Sequence, residues 1–239
     1  MKNKKIVFII GTGRSGTNFL ARILEKSPEL SASIESPIIF NLSSFLALNE
    51  DRKELFLPLL IWLYKIRLFF TSRNIYLDKS HPNIWHAIEL SRSFNNSLFI
   101  GIQREPMATI SSMLKHKGTL RWFNIWKRFS IPNRFLGINE EIKAEYERYP
   151  IEIKCALRWL SHKKQMDELK EKLGTRLIVI NYENLIEAPT DDLEKLRKFI
   201  GLKQSTPKPF IKKDTLVKWK KNLNKKQISL ISNFLLAHE

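Results

Sequence analysis

The sequence predicts an α/β fold of three layers, a central parallel sheet flanked by helices, and three observations carry that prediction. β-Branched runs of strand length recur at 6–10, 74–77, 98–102 and 177–180. Helical patterns lie between them, and strands that alternate with helices form a parallel sheet covered on both faces. Each run ends in polar, chemically capable residues, which a parallel sheet gathers along one edge, where α/β ligands bind.

The first run enters the turn Gly11-Thr12-Gly13-Arg14-Ser15-Gly16, and a helix is predicted over 17–25. Such a turn presents backbone N–H groups and the helix adds its positive end, so the segment reads as an anion cradle. Gly11-x-x-x-x-Gly16 begins like a Walker A loop, which makes the expected fold P-loop-like. Thr17, however, stands where that loop's lysine reaches the β- and γ-phosphates, which argues against an ordinary P-loop NTPase. Gly11-x-Gly13-x-x-Gly16 also fits a dinucleotide fingerprint, with Glu35 at about the ribose-contact distance. A dinucleotide pyrophosphate is met by small, uncharged residues. Arg14 with the hydroxyls of Ser15 and Thr17 suits a compact, strongly charged group better.

The second run ends in Asp78-Lys79-Ser80-His81-Pro82, and a helix is predicted over 83–94. The third ends in Gln103-Arg104-Glu105-Pro106 before a helix over 105–116, with Pro106 in its favoured first turn. A cation at that strand end and Ser112 about two turns on can both reach one phosphate. The fourth ends in Asn181-Tyr182-Glu183-Asn184, after a long amphipathic stretch at Ile151–Leu173. Leu193, Leu196 and Ile200 at helical spacing, with Gly201 as a stop, predict a helix over 191–200, and 227–236 reads as another. The Pro-rich segment 206–209 reads as a loop. With no internal repeat and no domain boundary, one domain is expected over 1–239, with helical insertions at about 36–72 and 117–150 that shape an acceptor site. Within the first, the apolar run from Leu55 to Tyr64 is too short, and too soon followed by Lys65 and Arg67, to span a bilayer. It reads as a buried helix, or else as an apolar acceptor groove or a membrane-surface contact.

The 239 residues carry a formal net charge of +17. That implies a polyanionic partner: a nucleotide, nucleic acid, an acidic glycan or a membrane face. Cys155 is the single cysteine, so no intrachain disulfide forms, and the N-terminus lacks the apolar core of a signal peptide. A cytoplasmic setting is expected. The five histidines show no metal-ligand spacing. No strand ends in an aspartate placed like a Walker B ligand; Asp78 is nearest, but Lys79 directly follows it. The site is therefore expected to be metal-free, with arginine and lysine neutralising charge.

Four segments together resemble the sulfotransferases that use 3′-phosphoadenosine 5′-phosphosulfate (PAPS), in particular their bacterial and Golgi-like carbohydrate branches. Gly11 to Leu20 resembles the 5′-phosphosulfate loop. Gln103-Arg104-Glu105-Pro106 through Ser111-Ser112 resembles the 3′-phosphate motif. Asp78-Lys79-Ser80-His81-Pro82 resembles the Lys-Thr-Pro element, and the stretch from Leu177 through Leu202 resembles the Tyr-Glu-Asp-Leu strand and its helix. Trp219 and Asn222-Leu223 sit where many members carry a Trp-x-x-x-Leu tail. Departures are Asn18 for a common Thr, Glu105 for a common Asp, and the missing Arg-Lys-Gly element of the cytosolic branch.

The resemblance implies transfer of a sulfuryl group from PAPS to a hydroxyl of a carbohydrate, glycolipid or other small-molecule acceptor. It implies that Gly13, Arg14, Ser15, Gly16, Thr17 and Asn18 hold the 5′-phosphosulfate and Arg104 and Ser112 the 3′-phosphate. Tyr182 would lie near the adenine or serve as a core tyrosine, and the basic segment around Lys218 and Trp219 would close over the nucleotide. Arg14 and Lys79 would neutralise the charge that develops during transfer. Glu35 would be the base, as in carbohydrate-acting relatives, with His81 as the alternative. The loop alone leaves a nucleotide or small-molecule kinase with an atypical P-loop as the alternative activity. No nucleic-acid partner is expected, because no recognition module is legible and the lysines at 212–226 cluster beside the presumed anionic cofactor.

Overall fold

The computed structural model describes residues 4–204 and 213–238; the Pro-rich segment at 206–209 lies outside them. Five strands form one sheet: β1 (Lys5–Gly11), β2 (Leu30–Ile34), β3 (Ile75–Lys79), β4 (Ser97–Gln103) and β5 (Leu177–Asn181). Their order is β2-β3-β1-β4-β5, and every neighbouring pair is parallel. β1 is central because all but its first residue are buried and apolar enough to be covered on both faces. Ile6, Phe8 and Ile10 enter one core, Val7 and Ile9 the other.

The second core is covered by α1 (Thr17–Leu24), α8 (Tyr182–Glu187) and α9 (Pro189–Ile200). The first core is covered by α2 (Pro37–Leu48), α3 (Lys53–Phe70), α4 (Ala87–Ser93), α5 (Pro106–Leu114), α6 (Lys117–Asn124), α7 (Ile151–Leu173) and α11 (Lys225–Leu236), with Trp219 of the short α10 (Lys218–Asn222) packed on it. The molecule is thus a three-layer α/β structure. Chain order reverses across β1, whose neighbours are β3 and β4, so the crevice beyond its carboxyl end is the switch point where α/β proteins bind ligands. Register aligns the functional ends: Ile9 lies opposite Lys79, and Gly11 opposite Ile102, two residues before Arg104.

Four elements differ from the sequence reading. β2 was not anticipated, because Leu-Ser-Ala-Ser-Ile is short, small and half-polar, which suits a sheet edge. The helix expected over 83–94 starts as a 3-10 turn at His81–Trp85 and becomes α-helical only at Ala87, since Pro82 and Ser80 build a tight turn first. The apolar run at 55–64 extends to an 18-residue helix, α3, in which Leu60, Tyr64 and Leu68 are buried while the opposite face is open. The segment 117–150 is helical only in α6 and a 3-10 turn at Trp126–Arg128. Beyond them Phe135, Leu136 and Ile138 reach the core from turns. There Gly137 has φ +77°, and a Cβ would lie 2.4 Å from the Leu157 carbonyl oxygen.

Candidate active site

The turn after β1 is shaped by glycine where no other residue fits. Gly16 caps α1 at φ +101°, and a Cβ there would lie 2.2 Å from the Tyr182 ring. Having no side chain, Gly16 leaves the first N–H groups of α1 without a capping partner, open to an anion. Ser15 turns inward: its hydroxyl donates to the Thr12 carbonyl at 2.6 Å and its N–H bonds the same oxygen, so it closes the loop. Gly13, Arg14, Gly16, Thr17 and Asn18 line a cavity of about 400 Å³ together with Glu35, Lys79, His81, Arg104 and Ser112. Among the described residues, the non-glycine residues with positive φ are Arg14 at +79° and Glu35 at +51°. Such strain costs on the order of 1–3 kcal/mol per residue and concentrates at functional sites. Both residues face this cavity.

Glu35, at the end of β2, accepts a short hydrogen bond from the buried Lys79 ammonium, and His81 Nδ1 lies 3.6 Å from the same oxygen. Burial pushes the Glu35 carboxyl up, but His81 and the Lys79 charge outweigh it and hold it at about 2. Burial also lowers Lys79, against the attraction of Glu35. His81 is brought down to about 3, first by burial and then by the nearby Lys79 and Arg158 charges, against Glu35. It is a neutral imidazole whose Nε2 is buried and without a partner, facing Gly13. Asp78 is turned away from the cavity: it is fully buried and accepts from Tyr64 Oη at 2.9 Å and Asn83 Nδ2 at 3.1 Å. Among the described residues no group of three or more His, Cys, Asp or Glu could hold a metal ion.

Arg104 follows β4 and does not pair with Glu105. Glu105 instead caps α5, accepting from the Ala108 N–H at 3.3 Å. The Arg104 guanidinium lies 4.3 Å from the Tyr182 ring centroid, donates to the Arg14 and Thr215 carbonyls at 3.4 and 3.0 Å, and leaves Nε buried without a partner. Arg14 Nε donates to Ser112 Oγ at 3.1 Å, so loop and α5 meet directly. Arg14, Arg104 and Ser112 also line a second cavity, of about 330 Å³, with Tyr182, Lys218 and Trp219. Two cavities therefore share one wall of two arginines and a serine. The Lys115 ammonium, bonded to Asn222, ties α5 to α10 beside the second cavity.

Arg158 on α7 was missed by sequence reasoning. It is fully buried; Nε donates to the Phe135 carbonyl at 3.3 Å, while Nη1 and Nη2 have no partner. The guanidinium lies 4.5 Å from the Phe135 ring centroid and 5.3 Å from that of Trp122, and a Cβ on Gly13 would sit 3.5 Å from Nη2. Burial lowers its pKa to about 10, so it stays charged at neutral pH. A buried, uncompensated cation directly behind an anion cradle raises the positive potential of that cradle.

The family model that matches the chain is described as the sulfotransferase family and covers residues 62–206. A search of the curated proteins finds no match. Among solved structures, the chain is similar to the sulfotransferase domain from the curacin biosynthetic pathway, at 17% identity and a TM-score of 0.61, over 99% of this chain and 98% of that one. It is similar to a sulfotransferase from Alicyclobacillus acidocaldarius at 15% identity and 0.56, over 96% of each chain. It is also similar to mouse sulfotransferase SULT7A1 complexed with PAP, at 16% and 0.52, over 96% of this chain and 82% of that one. At these identities the likeness is one of fold.

Proposed function

The chain belongs to the sulfotransferase family, and from that premise we propose that it transfers a sulfuryl group from PAPS to the hydroxyl of an amphipathic acceptor such as a glycan or glycolipid. The observation that carries this reading is the shared wall: Arg14, Arg104 and Ser112 border both cavities, so one ligand can be gripped at two anionic ends. The mouse relative's complex with PAP supports a donor of that type. The residues present fit it. The orphaned Nη atoms of Arg158 lie behind Gly13, and the bare Gly13 leaves room that a Cβ would take against His81 Nε2.

The 5′ end would be held by the N–H groups of the turn with Arg14, Thr17 and Asn18, and the 3′-phosphate by Arg104 and Ser112, with Lys218 and Trp219 alongside. Ser15 acts by closing the turn. Tyr182 supports Arg104 through its ring face. When bound, PAPS supplies an activated sulfuryl group whose transfer spreads negative charge over three oxygens. Arg14, Lys79 and the buried Arg158 provide fixed positive charge for it. Glu35 takes the proton of the acceptor hydroxyl, worth ~10²–10⁴-fold in rate. At about 2 it is a weak base at rest. An anion that draws Lys79 away removes one of the two groups, with His81, that hold Glu35 down, and so raises its basicity. The aromatic rings of Phe40 and Trp122 in the same cavity suit the apolar face of a sugar ring. Cys155 is buried and free, which fits a reducing, cytoplasmic setting. The kinase alternative draws no support, since Asp78 is sealed behind Tyr64 and Asn83.

The test is transfer of labelled sulfate from PAPS to a panel of glycans, glycolipids and simple alcohols. Label moving to any hydroxyl acceptor supports the reading; release from neither PAPS nor a mixture of PAPS with source-cell extract rejects it.

A further inference from the structure

No helix among the described residues is long and apolar enough to cross a membrane, yet one face of the protein carries an unusual load of bare apolar surface. Of ten large hydrophobic side chains exposed among the described residues, seven lie on α2 and α3. On α3, Leu55, Leu59, Trp62 and Phe69 recur at helical spacing and form one stripe, which Phe70 extends. On α2, Ile38 and Phe45 are also exposed, and the Phe45 and Phe56 rings meet at 5.9 Å, joining the two helices into one surface. Trp62 is 55% and Phe70 77% exposed. Monomeric soluble proteins rarely leave so much contiguous apolar surface without a use.

The charges around the patch identify what covers it. At the N-terminal end of α3 the exposed charges are mixed, Asp51, Arg52 and Glu54, but along the aromatic half of the patch, from Leu60 to Leu77, they are Lys65, Arg67 and Arg73, all exposed, with no acid among them. None of these last three is in an ion pair among the described residues. Bare aromatic residues with a basic rim match the chemistry of a bilayer interface bearing anionic headgroups. A second copy of the chain would set one molecule of net charge +17 against another.

We propose that the α2–α3 face docks on an anionic lipid bilayer. Phe40 of α2 lines the cavity of Glu35 and Lys79, and Arg67 donates to Ser36, the neighbour of Glu35, at 3.1 Å. Docking therefore sets the mouth of the cavity at the lipid surface, where a hydroxyl borne by a lipid headgroup is within reach. The choice of acceptor in that statement rests on the reading above; the docking does not.

The experiment is co-sedimentation of the full chain with phosphatidylcholine vesicles, with and without about 30% phosphatidylglycerol. Anionic vesicles are expected to bind at least ~10-fold more tightly, since each basic residue at such a surface contributes roughly five-fold. The double variant Lys65→Glu/Arg73→Glu loses that preference, and Trp62→Ser/Phe70→Ser lowers binding to both vesicle types. Because all four side chains are exposed, every variant retains the affinity of the wild type for adenosine 3′,5′-bisphosphate. No sedimentation with anionic vesicles at low salt overturns the proposal. So does sedimentation untouched by Trp62→Ser/Phe70→Ser, or a concentration-dependent dimer that this variant dissolves. None of those results bears on nucleotide binding, which is read separately.

Discussion

Replacing Arg158 by Met separates a binding charge from a structural one. Burial brings its pKa down from the usual guanidinium range to about 10. At ~1.4 kcal/mol per unit, that puts the uncompensated cost of keeping the charge in the free protein at about 3 kcal/mol. Methionine of similar length removes that cost. It also forfeits the ring contacts with Phe135 and Trp122, together on the order of 1–2 kcal/mol, and the bond to the Phe135 carbonyl, about 1 kcal/mol. The gains and losses nearly cancel, so the free variant is no less stable than the wild type. Binding is affected differently. A unit negative charge roughly 6 Å from the guanidinium, at an effective dielectric near 20, gains about 2–3 kcal/mol, so adenosine 3′,5′-bisphosphate binds ~10²-fold more weakly without it. Urea unfolding with and without the nucleotide measures both quantities in one protein. A variant destabilised by more than ~2 kcal/mol with its nucleotide affinity intact would refute the reasoning and make Arg158 a packing residue.

Glu35→Gln keeps nucleotide affinity and loses ~10²–10⁴-fold in kcat; single-turnover transfer at the wild-type rate would remove Glu35 from the chemistry. Arg104→Ala weakens adenosine 3′,5′-bisphosphate by roughly ten-fold more than adenosine 5′-monophosphate, the expected worth of a charge-assisted contact, and equal losses in calorimetry would dissociate it from the 3′-phosphate. His81 and His86 are held by burial at about 3 and about 4. Both pKa values are depressed, so the unfolded chain takes up the protons first. Their contribution, together with that of His162, which burial lowers further, is complete above ~6.5 and is lost as pH drops from there toward 4, by up to about 1.4 kcal/mol per unit for each histidine. Asp78, raised by burial to about 7, partly offsets this, because the folded chain takes up its proton before the unfolded chain does and so gains stability as pH falls from about 7 toward 4. Denaturant midpoints at pH 7, 6 and 5, about the window set by an unperturbed histidine, should decline, and His86→Gln should flatten the decline; an unchanged slope would mean His86 is not the group.

Much of this arrangement was legible before the structure because local signals and topology agree. The run at Ile6–Ile10 reads as a strand, and a parallel sheet obliges the residues after Gly11, Asp78 and Gln103 to share an edge. The direct bond between Arg14 and Ser112 realises that obligation. What escaped depends on tertiary contacts that leave no periodic trace. Arg158 reads as one more cation on a basic amphipathic helix, and its partner Phe135 comes from an irregular segment 23 residues away. Ser15 looks like a ligand hydroxyl, but the loop turns it onto Thr12. The run at 55–64 had the length and apolarity of a buried helix, and only the packing of Leu60, Tyr64 and Leu68 shows that half of it faces outward. The strain at Arg14 and Glu35 is a property of φ that composition does not carry.

Titrating the chain calorimetrically with adenosine 3′,5′-bisphosphate in excess EDTA tests the central claim most directly. Saturable binding of one molecule per chain, weakened by Arg14→Ala and by Arg104→Ala, is the predicted result. No binding of the bisphosphate, or tight binding of ATP with magnesium in its place, would contradict the account.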